Sequence, residues 1–530
     1  MTAFPQHTTI LRWLVALLAI HAILLLPDRP EALGLHLLRL LPLELPLIVL
    51  GLVAFTGRTR DVLRILVVAL LALMLIFKLA SIGTRFGFDR PFNPLVDAAM
   101  IPVAFDTIAK GVGFLGAAAA VLAVLLIVGL VVVLLYWATG VIAHSVTAEA
   151  RIFVSGAAFF VAMLSFIPAL SGNLHWDSSV FMRDQAVGFV RNIEDSGRFR
   201  AALLEKPFAD LPAEGRLAGL KDTDVLFIFV ESYGRSSLDN PRFSDAVRTR
   251  LKAFTAEMAA KGFTAKSAWM DSPTYGGESY LAHSTVVSGL WVDNNQRYGQ
   301  LLKSQHETLV GDFAKAGWRT VTVMPEITMP WPEVDFFGFD AVYSALNLDY
   351  KGQSFDYMTM SDQYALAELQ RRELDPTSRK PVMALVGLIS SHIPWAPLPK
   401  LVPWDAVGDG TVFTTARTPE SANDVWRDPK TVDAFYAKSI DYSLETLASF
   451  VSTYAKDNTL VFIIGDHQPM SFISGEGASH EVPAHLIARN PALITALEQG
   501  TWTPGMEPTR DSPTWPMDSL RERILKAYTP

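Results

Sequence analysis

Three short β-rich segments of the chain are each followed by side chains that can bind a metal ion. Glu231 directly follows one segment, Asp466 and His467 follow another, and His392 lies a few residues beyond a third. In an open α/β sheet, functional groups collect beyond the carboxyl ends of the strands. Carboxylate oxygens and imidazole nitrogens are common ligands of divalent cations. The spacing therefore predicts that these side chains converge on one divalent cation.

The segments that must position these side chains alternate between strand-like and helical patterns. Short apolar runs predict strands at residues 225–230, 319–323, 382–388 and 460–464. The stretches between them predict helices at residues 244–261, 302–316 and 431–454. This alternation is typical of an α/β fold around a largely parallel central sheet. We assign it to a domain at residues 221–530, preceded by a connector at residues 172–220.

Composition excludes several other kinds of function. The net charge of −8 gives no reason to expect a nucleic-acid partner, whose backbone requires clustered basic residues. The chain contains no cysteine, which excludes disulfides, zinc–thiolate sites and cysteine nucleophiles. The mean hydropathy of +0.27 is high for a soluble protein, because aliphatic residues dominate the N-terminal part.

The N-terminal part, residues 1–171, is predicted to be a membrane domain of five helices. A helix needs about 20 apolar residues to cross the ~30 Å hydrocarbon core of a bilayer. Five stretches are long enough, at residues 10–27, 38–56, 61–82, 113–137 and 152–171. Because no small-residue cleavage site follows the first stretch, we interpret it as a span rather than a signal peptide.

The distribution of charge predicts the orientation of these spans. Arg58, Arg60 and Arg64 lie in or beside the short loop between the second and third spans, which predicts that this loop is cytoplasmic. An odd number of spans then places the C-terminal domain outside the cytoplasm, in a multi-pass protein of the cytoplasmic (inner) membrane. Glu44 lies within the second span, where an ionisable group is costly. It either lies near the outer headgroups or has a function that faces them.

The order of these motifs resembles a known family. A glutamate after the first strand, a hydroxyl on the following helix, a histidine after a middle strand and a Gly-Asp-His run at residues 465–467 are similar to the membrane sulfatase-like phospho-group transferases of the alkaline phosphatase superfamily. These include lipoteichoic acid synthases, phosphoglycerol transferases of periplasmic glucans and lipid A phosphoethanolamine transferases. The resemblance covers roughly residues 221–490. It implies an alkaline-phosphatase/sulfatase-like α/β domain after a five-helix transmembrane bundle.

The resemblance also implies a set of site residues. Glu231, Asp466, His467 and the hydroxyl nucleophile are expected to hold one divalent metal ion. Such mixed ligands suit Mn, Zn and Mg, so the metal stays open. His392, in the run Ser-Ser-His-Ile-Pro-Trp, is expected to contact the substrate phosphate or the leaving group.

A further histidine is expected on the substrate side. His480 follows His467 by thirteen residues, close to the spacing of the substrate-side histidine in phosphoethanolamine transferases. His485 is a competing candidate, and both could be surface groups.

The nucleophile is predicted within residues 272–290. A Gly-Gly turn precedes Ser279 and helix-compatible residues that end at Gly289, which predicts a capped helix. The N–H groups at a helix N-terminus favour a phosphate anion. By resemblance, a nucleophile ten residues before the closing glycine is Ser279. The alternative is Thr274, which precedes Glu278 by four residues, as the nucleophilic threonine of lipoteichoic acid synthases precedes a glutamate.

The same segment departs from true sulfatases, whose C/S-x-P-x-R motif supplies a formylglycine. The matching positions are Ser279, Leu281 and His283, so the proline and the arginine are missing. An unmodified hydroxyl is suited to attack on phosphorus through a covalent phospho-enzyme. His283 lies one turn after Ser279. It either orients the hydroxyl or the phosphate oxygens, or is a satisfied buried histidine.

The loop after the strand predicted at residues 319–323 contains Glu326, Trp331 and Asp335. By resemblance this loop binds the substrate headgroup, with an aromatic rim for glycerol or ethanolamine. A packed loop without contact to substrate is the alternative.

These features predict a metal-dependent enzyme that transfers a phosphoglycerol or phosphoethanolamine group. The donor is a membrane phospholipid, the acceptor an envelope glycan or lipid, and the intermediate is covalently linked to a hydroxyl. A membrane-anchored phosphodiesterase or sulfatase-like hydrolase, with water as acceptor, shares the covalent half-reaction and stays an alternative. A catalytically inactive scaffold or sensor is a third possibility, which the retained metal-ligand set disfavours.

Overall fold

The structure is a computed structural model of the 530-residue chain. It describes residues 7–29, 32–34, 41–98, 100–163, 174–175, 177–205, 208, 215–356, 358–497 and 502–530. The chain divides into an N-terminal unit, Met1–Phe86 with Arg90–Asp195, and a C-terminal unit, Gly87–Asp89 with Ser196–Pro530. The domain limits inferred from the sequence remain predictions.

Most of the N-terminal unit is helical. The elements that begin in it are α1 (His7–Leu25), β1 (Leu41–Pro42), α2 (Glu44–Ala54), α3 (Gly57–Phe88), α4 (Pro94–Asp97), α5 (Met100–His144), α6 (Ala148–Met163), β2 (Leu174–His175) and α7 (Asp177–Ala202). Within this unit α2 packs against α6, and α1 packs against α5. Gly113 interrupts α5 with a φ of 79°.

Among the described residues of this unit, two helices are long and apolar enough to cross a membrane. They are α3, with 32 residues, and the Val112–His144 part of α5, with 33 residues. Large apolar side chains along α5 are exposed, among them Leu122, Leu126 and Leu130. A helix with apolar side chains on all of its faces is stable only inside a protein core or in a lipid bilayer. These two helices indicate membrane anchoring.

The five predicted spans agree with the helices of the structure to different degrees. The spans at 61–82 and 113–137 lie in the two long helices, and those at 10–27 and 38–56 overlap shorter apolar helices, Thr9–Leu25 and Glu44–Ala54. Residues 38–40 and 164–171 lie outside the described residues. With 11 residues α2 is about 16 Å long, roughly half of the ~30 Å hydrocarbon core. The five-helix bundle therefore remains a prediction.

The C-terminal unit combines one sheet with helices on its faces. Its strands are β3 (Asp224–Val230), β4 (Thr264–Asp271), β5 (Arg319–Met324), β6 (Ala341–Ser344), β7 (Val382–Gly387), β8 (Thr459–Gly465), β9 (Glu481–Ala488), β10 (Thr503–Pro504) and β11 (Thr514–Pro516). Its helices are α8 (Ser236–Asp239), α9 (Ser244–Ala260), α10 (Ser279–Ser288), α11 (Asn295–Leu302), α12 (Leu309–Lys315), α13 (Asp362–Leu369), α14 (Ala422–Val425), α15 (Pro429–Tyr454), α16 (Ser471–Ser474), α17 (Pro491–Thr495) and α18 (Ser519–Tyr528).

In the described part of the C-terminal unit the sheet has nine strands, in the order β10-β4-β9-β8-β3-β7-β5-β6 with β11 beside β4. The four strands predicted from the sequence are β3, β5, β7 and β8, and together with β6 they run parallel. Every residue of β3, β7 and β8 is buried. Helices cover both faces of a parallel sheet, which is why these strands are apolar without alternation.

The sheet is mixed rather than largely parallel, which corrects the prediction. β9 runs antiparallel to both β8 and β4, and β10 runs antiparallel to β4. A parallel return needs a crossover of a dozen or more residues, usually a helix. The connection from β8 to β9, residues 466–480, is long enough for such a crossover but contains only the four-residue α16 and no crossover helix, and β9 returns beside β8 in the opposite direction.

The predicted helices are partly correct. Those at 244–261 and 431–454 correspond to α9 and α15. The helix predicted at 302–316 is wrong in its first half, since α11 ends at Leu302 and α12 begins at Leu309. The Thr308 side chain accepts a hydrogen bond from the Gly311 N–H. This N-cap starts a new helix where a continuous one was expected.

Candidate active site

The carboxyl ends of two neighbouring parallel strands bring Glu231 and Asp466 together. Val230 of β3 pairs with Gly465 of β8, so the next residue of each strand lies at the same edge of the sheet. Glu231, Asp466 and His467 are buried, and each offers a ligand atom within 4.8 Å of the others. The convergence expected for these three side chains is therefore present.

Backbone groups hold the ligand atoms in place. Asp466 Oδ1 accepts hydrogen bonds from the N–H groups of Ser232 at 2.8 Å and His467 at 2.7 Å. His467 Nδ1 donates to the Gln468 carbonyl at 2.8 Å. A histidine that donates through Nδ1 keeps an Nε2 lone pair for a metal. These bonds direct Asp466 Oδ2 and His467 Nε2 toward the cluster.

Ser279 is the first residue of α10 and lies against this cluster. Its Oγ donates to Glu231 Oε2 at 3.0 Å and lies 3.2 Å from His467 Nε2. Glu278, which precedes the helix, has a left-handed backbone with φ 61°, and Gly289 ends the helix with φ 71°. The predicted helix limits are correct. The Ser279 hydroxyl, however, faces the carboxylate instead of capping the helix.

The donor set fits a divalent cation. His467 Nε2 lies 3.5 Å from Glu231 Oε1 and 3.6 Å from Asp466 Oδ2. A tetrahedral ion with ligand bonds of about 2.0–2.2 Å separates its ligand atoms by about 3.3–3.6 Å. Two carboxylates, one imidazole and one hydroxyl are thus arranged at distances that a single ion could bridge.

The electrostatics of the cluster favour a cation as well. Burial and the neighbouring Glu231 raise the pKa of Asp466 well above its ordinary value. Burial also raises the pKa of Glu231, but the imidazoles of His467 and His392 together with hydrogen bonds from Asp466 and Ser232 outweigh that effect and lower it. Burial lowers the pKa of His467, which favours the neutral, metal-binding imidazole. A divalent cation would remove the cost of ionising both carboxylates.

Thr274, the alternative nucleophile, is buried in the turn that precedes α10. Its Oγ1 donates to the carbonyl of Gly277, and its N–H donates to Ser272 Oγ at 3.3 Å. The hydroxyl thus closes the turn, whereas the Ser279 hydroxyl contacts the cluster.

The loop after β7 carries His392 to the same edge of the sheet. Asp362 Oδ1 accepts from the N–H groups of Ile389 and Ser390, both at 2.8 Å, and Ser391 Oγ donates to the Glu231 carbonyl at 2.6 Å. His392 acts electrostatically on Glu231 and His467. It therefore lies near the cluster.

His283 lies beside the cluster with one nitrogen that no described residue contacts. Its Nε2 is buried, and none of the described groups lies within hydrogen-bonding distance of it. The ring packs 4.3 Å from the Phe229 ring. Burial lowers the pKa of His283 to about 4. The interpretation of a satisfied buried histidine does not fit this geometry, because none of the described groups bonds its Nε2.

Glu326 and His283 both lie close to Gly387, at the carboxyl end of β7. A Cβ built on Gly387 would lie 3.5 Å from His283 Cε1 and 3.8 Å from Glu326 Oε1. The residue as a whole is exposed, but burial of its carboxyl group raises the pKa of Glu326 to about 8. The missing side chain of Gly387 leaves room at the carboxyl end of β7 for both residues.

The two histidines proposed for the substrate side differ in environment. His480 is exposed, and its Nδ1 donates to the Ser272 carbonyl at 3.3 Å. Ser272 Oγ in turn donates to the Asp466 carbonyl at 2.5 Å, so one residue separates His480 from the cluster. His485 is buried on β9, 3.2 Å from the Tyr233 hydroxyl, and burial lowers its pKa to about 3. His485 is therefore a core residue and not a surface group.

Trp331 and Asp335 are less closely tied to the site. Trp331 is partly buried and packs against the core on one face of the sheet. Asp335 is exposed and lines a hollow of about 650 Å³ with His306 and Glu333. The described residues that line this hollow do not include Glu231, Asp466 or His467. A headgroup role for Trp331 and Asp335 remains a prediction.

Several residues that support the site were not predicted. Ser232 has φ 55°, and its Oγ donates to Glu231 Oε1 at 2.8 Å. The Tyr436 hydroxyl donates to the Ser232 carbonyl at 2.9 Å. Gln468 accepts from Ser236 and from the backbone N–H of Gly276. Strained backbone is concentrated at functional sites. Ser232 and Gln468 could have been proposed from their positions next to Glu231 and His467, whereas the sequence around Tyr436 contains no such signal.

The solved structures to which the chain is similar are distant from it in sequence and in structure. The lipoteichoic acid synthase LtaP from Listeria monocytogenes is 12% identical, with 63% of this chain and 78% of that chain covered and a TM-score of 0.38. The phosphoglycerol transferase GacH from Streptococcus pyogenes, solved with sn-glycerol-1-phosphate, is 13% identical, with 63% and 90% covered and a TM-score of 0.37. The soluble domain of lipooligosaccharide phosphoethanolamine transferase A from Neisseria meningitidis is 11% identical, with 57% and 88% covered and a TM-score of 0.38.

Sequence comparison gives the family. No curated protein matches the chain significantly. The family model described as Sulfatase matches residues 223–494, which is just over half of the 530 residues and contains the cluster, α10 and the His392 loop. The chain belongs to the sulfatase family, and the resemblance to the sulfatase-like enzymes of the alkaline phosphatase superfamily is confirmed.

Proposed function

We propose that the protein transfers a phosphoglycerol or phosphoethanolamine group from a membrane phospholipid to an envelope glycan or lipid through Ser279. One observation carries the proposal. The Ser279 hydroxyl lies 3.0 Å from Glu231 Oε2 and 3.2 Å from His467 Nε2, at the start of a helix. Glu231, Asp466, His467 and Ser279 would hold one divalent ion, which is Mn, Zn or Mg.

The first half-reaction forms the covalent intermediate. A divalent ion held by these residues would lower the pKa of the serine hydroxyl and offset negative charge on the phosphate oxygens. Ser279 releases its proton along the hydrogen bond to Glu231, and its oxygen attacks the donor phosphorus. The new bond to Ser279 forms as the bond to the diacylglycerol oxygen breaks. His392 gives a proton to that leaving oxygen, and His283 Nε2 contacts a phosphate oxygen.

The second half-reaction reverses these roles. His392 takes the proton of the acceptor hydroxyl, whose oxygen attacks the same phosphorus. The bond between phosphorus and Ser279 breaks, and Glu231 returns the proton to the serine. Atoms and protons balance over the cycle: diacylglycerol is released, and the acceptor gains the phospho-group. Glu326 and His480 line the approach for the headgroup, with Trp331 and Asp335 further out.

The nucleophile segment favours phosphoryl over sulfuryl transfer. Formylglycine formation requires a Cys or Ser followed by proline and arginine, and Leu281 and His283 occupy those two positions. The serine therefore stays a hydroxyl, which is suited to a phospho-enzyme intermediate. The apolar helices α3 and α5 support a lipid donor, because such a donor reaches a membrane-anchored enzyme by lateral diffusion.

The direct test is transfer of a headgroup label. The full-length protein in membranes is incubated with phosphatidylglycerol or phosphatidylethanolamine labelled in the headgroup. We expect label to appear on an envelope glycan or lipid, and chelation of divalent ions to stop its appearance. Label released only as free phosphoglycerol or phosphoethanolamine would show a hydrolase. No release of label from either lipid, with Mn, Zn or Mg added, would show a scaffold and contradict the proposal.

We expect the C-terminal domain to lie outside the cytoplasm. The start of α3 and the end of α5 lie at one face of the N-terminal unit, because Arg60 donates to the Ala143 carbonyl at 2.9 Å and Arg64 to Thr139 Oγ1 at 3.3 Å. Arginines collect on the cytoplasmic side. Alkaline phosphatase fused after Pro530 should be active, and the same reporter inserted after Thr56 should be inactive. The opposite pattern would contradict both the orientation and the external acceptor.

A further inference from the structure

The N-terminal unit contains an apolar groove that the catalytic proposal does not use. It has a volume of about 370 Å³ and lies between α2, α3 and the start of α7. Its wall includes Leu47 and Leu70, which are 42% and 55% exposed, so the groove opens at the surface of the unit. A pocket of 300–1,000 Å³ with mostly apolar walls and a few polar groups is typical of a ligand site.

The groove follows one stripe of each helix. On α2 the lining positions are 44, 47, 48 and 51, and on α3 they are 63, 67, 70, 71 and 74. These spacings keep all lining side chains on one face of each helix. Leu63 lies close to Gly51, so the two helices run antiparallel along the groove. From Leu63 to Met74 the groove is about 16 Å long, close to the thickness of one leaflet of a ~30 Å hydrocarbon core.

Glu44 gives the groove a polar end. Its Oε1 accepts a hydrogen bond from the Ser179 N–H at 2.8 Å. Its Oε2 is buried, and among the described residues none donates to it. A buried carboxylate oxygen without a donor is costly, and more so in a membrane segment. The carboxylate therefore lacks one donor that a ligand could supply.

Lys78 is a buried cation that interacts electrostatically with Glu44, but its hydrogen bonds go to other groups. Lys78 is 2% exposed, and its ammonium group donates to the carbonyls of Leu24 at 2.9 Å and Ile23 at 3.5 Å. It also donates to Ser178 Oγ at 2.9 Å. A lysine ammonium has three donors, so these three acceptors use them. Lys78 therefore donates no hydrogen bond to Glu44. It also has no free N–H group with which to bind an additional anionic group.

We propose that this groove binds a membrane phospholipid with a primary-amine headgroup, one acyl chain along α2 and α3 and the ammonium donating to Glu44 Oε2. The apolar walls match an acyl chain, and the ammonium supplies the missing donor together with a positive charge in direct contact with Glu44, which Lys78 does not provide. A glycerol headgroup could donate a hydroxyl but would bring a net negative lipid beside Glu44. Binding here needs no turnover, so the proposal does not depend on the catalytic one.

The test measures which lipid the protein retains. The full-length protein is purified in detergent, incubated with vesicles of equal parts phosphatidylethanolamine and phosphatidylglycerol, repurified, and its bound lipid quantified by mass spectrometry. The wild type should retain phosphatidylethanolamine in excess of phosphatidylglycerol. In Glu44→Gln the excess should fall about fivefold, the effect of losing one partly screened ion pair. Glu149→Gln, the same change in the first turn of α6 and outside the groove, should keep the wild-type ratio.

A second pair of variants tests the acyl-chain part. Leu47→Trp narrows the groove from an exposed position and should lower the amount of retained lipid. Leu126→Trp, at a position on α5 that is 65% exposed and outside the groove, should leave it unchanged. Equal retention of both lipids by the wild type would overturn the proposal, as would an unchanged excess in Glu44→Gln. Equal losses in the two tryptophan variants would point to nonspecific surrounding lipid and also overturn it. None of these outcomes bears on headgroup transfer.

Discussion

Asp466→Asn should remove most of the bound metal and reduce turnover at least about 1,000-fold. The change deletes one of two carboxylates that would balance a divalent cation in a buried cluster. Loss of a mere supporting partner of a metal ligand costs 10–100-fold in affinity, so loss of a charged ligand should cost at least about 100-fold. Metal content of the purified full-length protein, measured by elemental mass spectrometry, and headgroup transfer at saturating lipid check the two effects.

The metal-free stability should respond differently. Burial and Glu231 raise the pKa of Asp466, so its ionised form is disfavoured in the folded protein without a metal. An amide keeps the Oδ1 that accepts from Ser232 and His467, and it removes the repulsion with Glu231. The melting temperature of the metal-free variant should therefore equal or exceed that of the metal-free wild type.

A matched substitution separates this effect from general damage. Asp340 accepts a hydrogen bond from the Thr320 N–H at 2.9 Å, near the opposite end of strand β5 from the site. Asp340→Asn should keep both metal content and activity. Full metal content and full activity in Asp466→Asn would show that the strand-end cluster is not the catalytic site.

The strands that carry the site could be predicted because they are buried on both faces. β3, β7 and β8 are continuous apolar runs, and the charged residue that follows β3 or β8 marks its end. β4 and β9 were missed. β9 contains Pro483 and His485, and β4 contains Lys266 and Ser267, so neither shows an uninterrupted apolar run. Their pairing depends on partners far away in the sequence.

The supporting contacts of the site could not be predicted for the same reason. The Tyr436 hydroxyl reaches the Ser232 carbonyl across 204 positions of sequence. Asp362, on helix α13, accepts hydrogen bonds from the N–H groups of Ile389 and Ser390, which lie 27 and 28 positions later in the chain. Nothing in the local sequence of either residue differs from that of an ordinary core position. Glu231, Asp466 and His467, in contrast, could be proposed because they directly follow strands β3 and β8.

Ser279→Ala should abolish headgroup transfer, with a loss of at least about 1,000-fold and no change in fold. It removes one oxygen, and no other group can form the covalent intermediate. In the structure the Ser279 hydroxyl bonds Glu231 and not the helix amides, so the substitution removes no N-cap and should leave the melting temperature almost unchanged. Glu231, Asp466 and His467 remain, so the variant should still bind metal. Steady-state transfer, metal content and thermal unfolding are the three measurements.

Thr274→Val is the matched control, because it deletes the competing hydroxyl and keeps the branched shape. Thr274 Oγ1 donates to the Gly277 carbonyl within the turn before α10, so its loss should cost about 1 kcal/mol of stability and only part of the activity. Trapping the intermediate with headgroup-labelled lipid and mapping the modified peptide decides between the two residues. Label on Ser279 is expected, since its oxygen alone of the two hydroxyls contacts Glu231 and His467 among the described residues. Label on Thr274 would mean that the turn rearranges to bring Thr274 to the cluster and that Ser279 is not the nucleophile. The metal ligands would be the same in both cases, because Glu231, Asp466 and His467 converge without either hydroxyl.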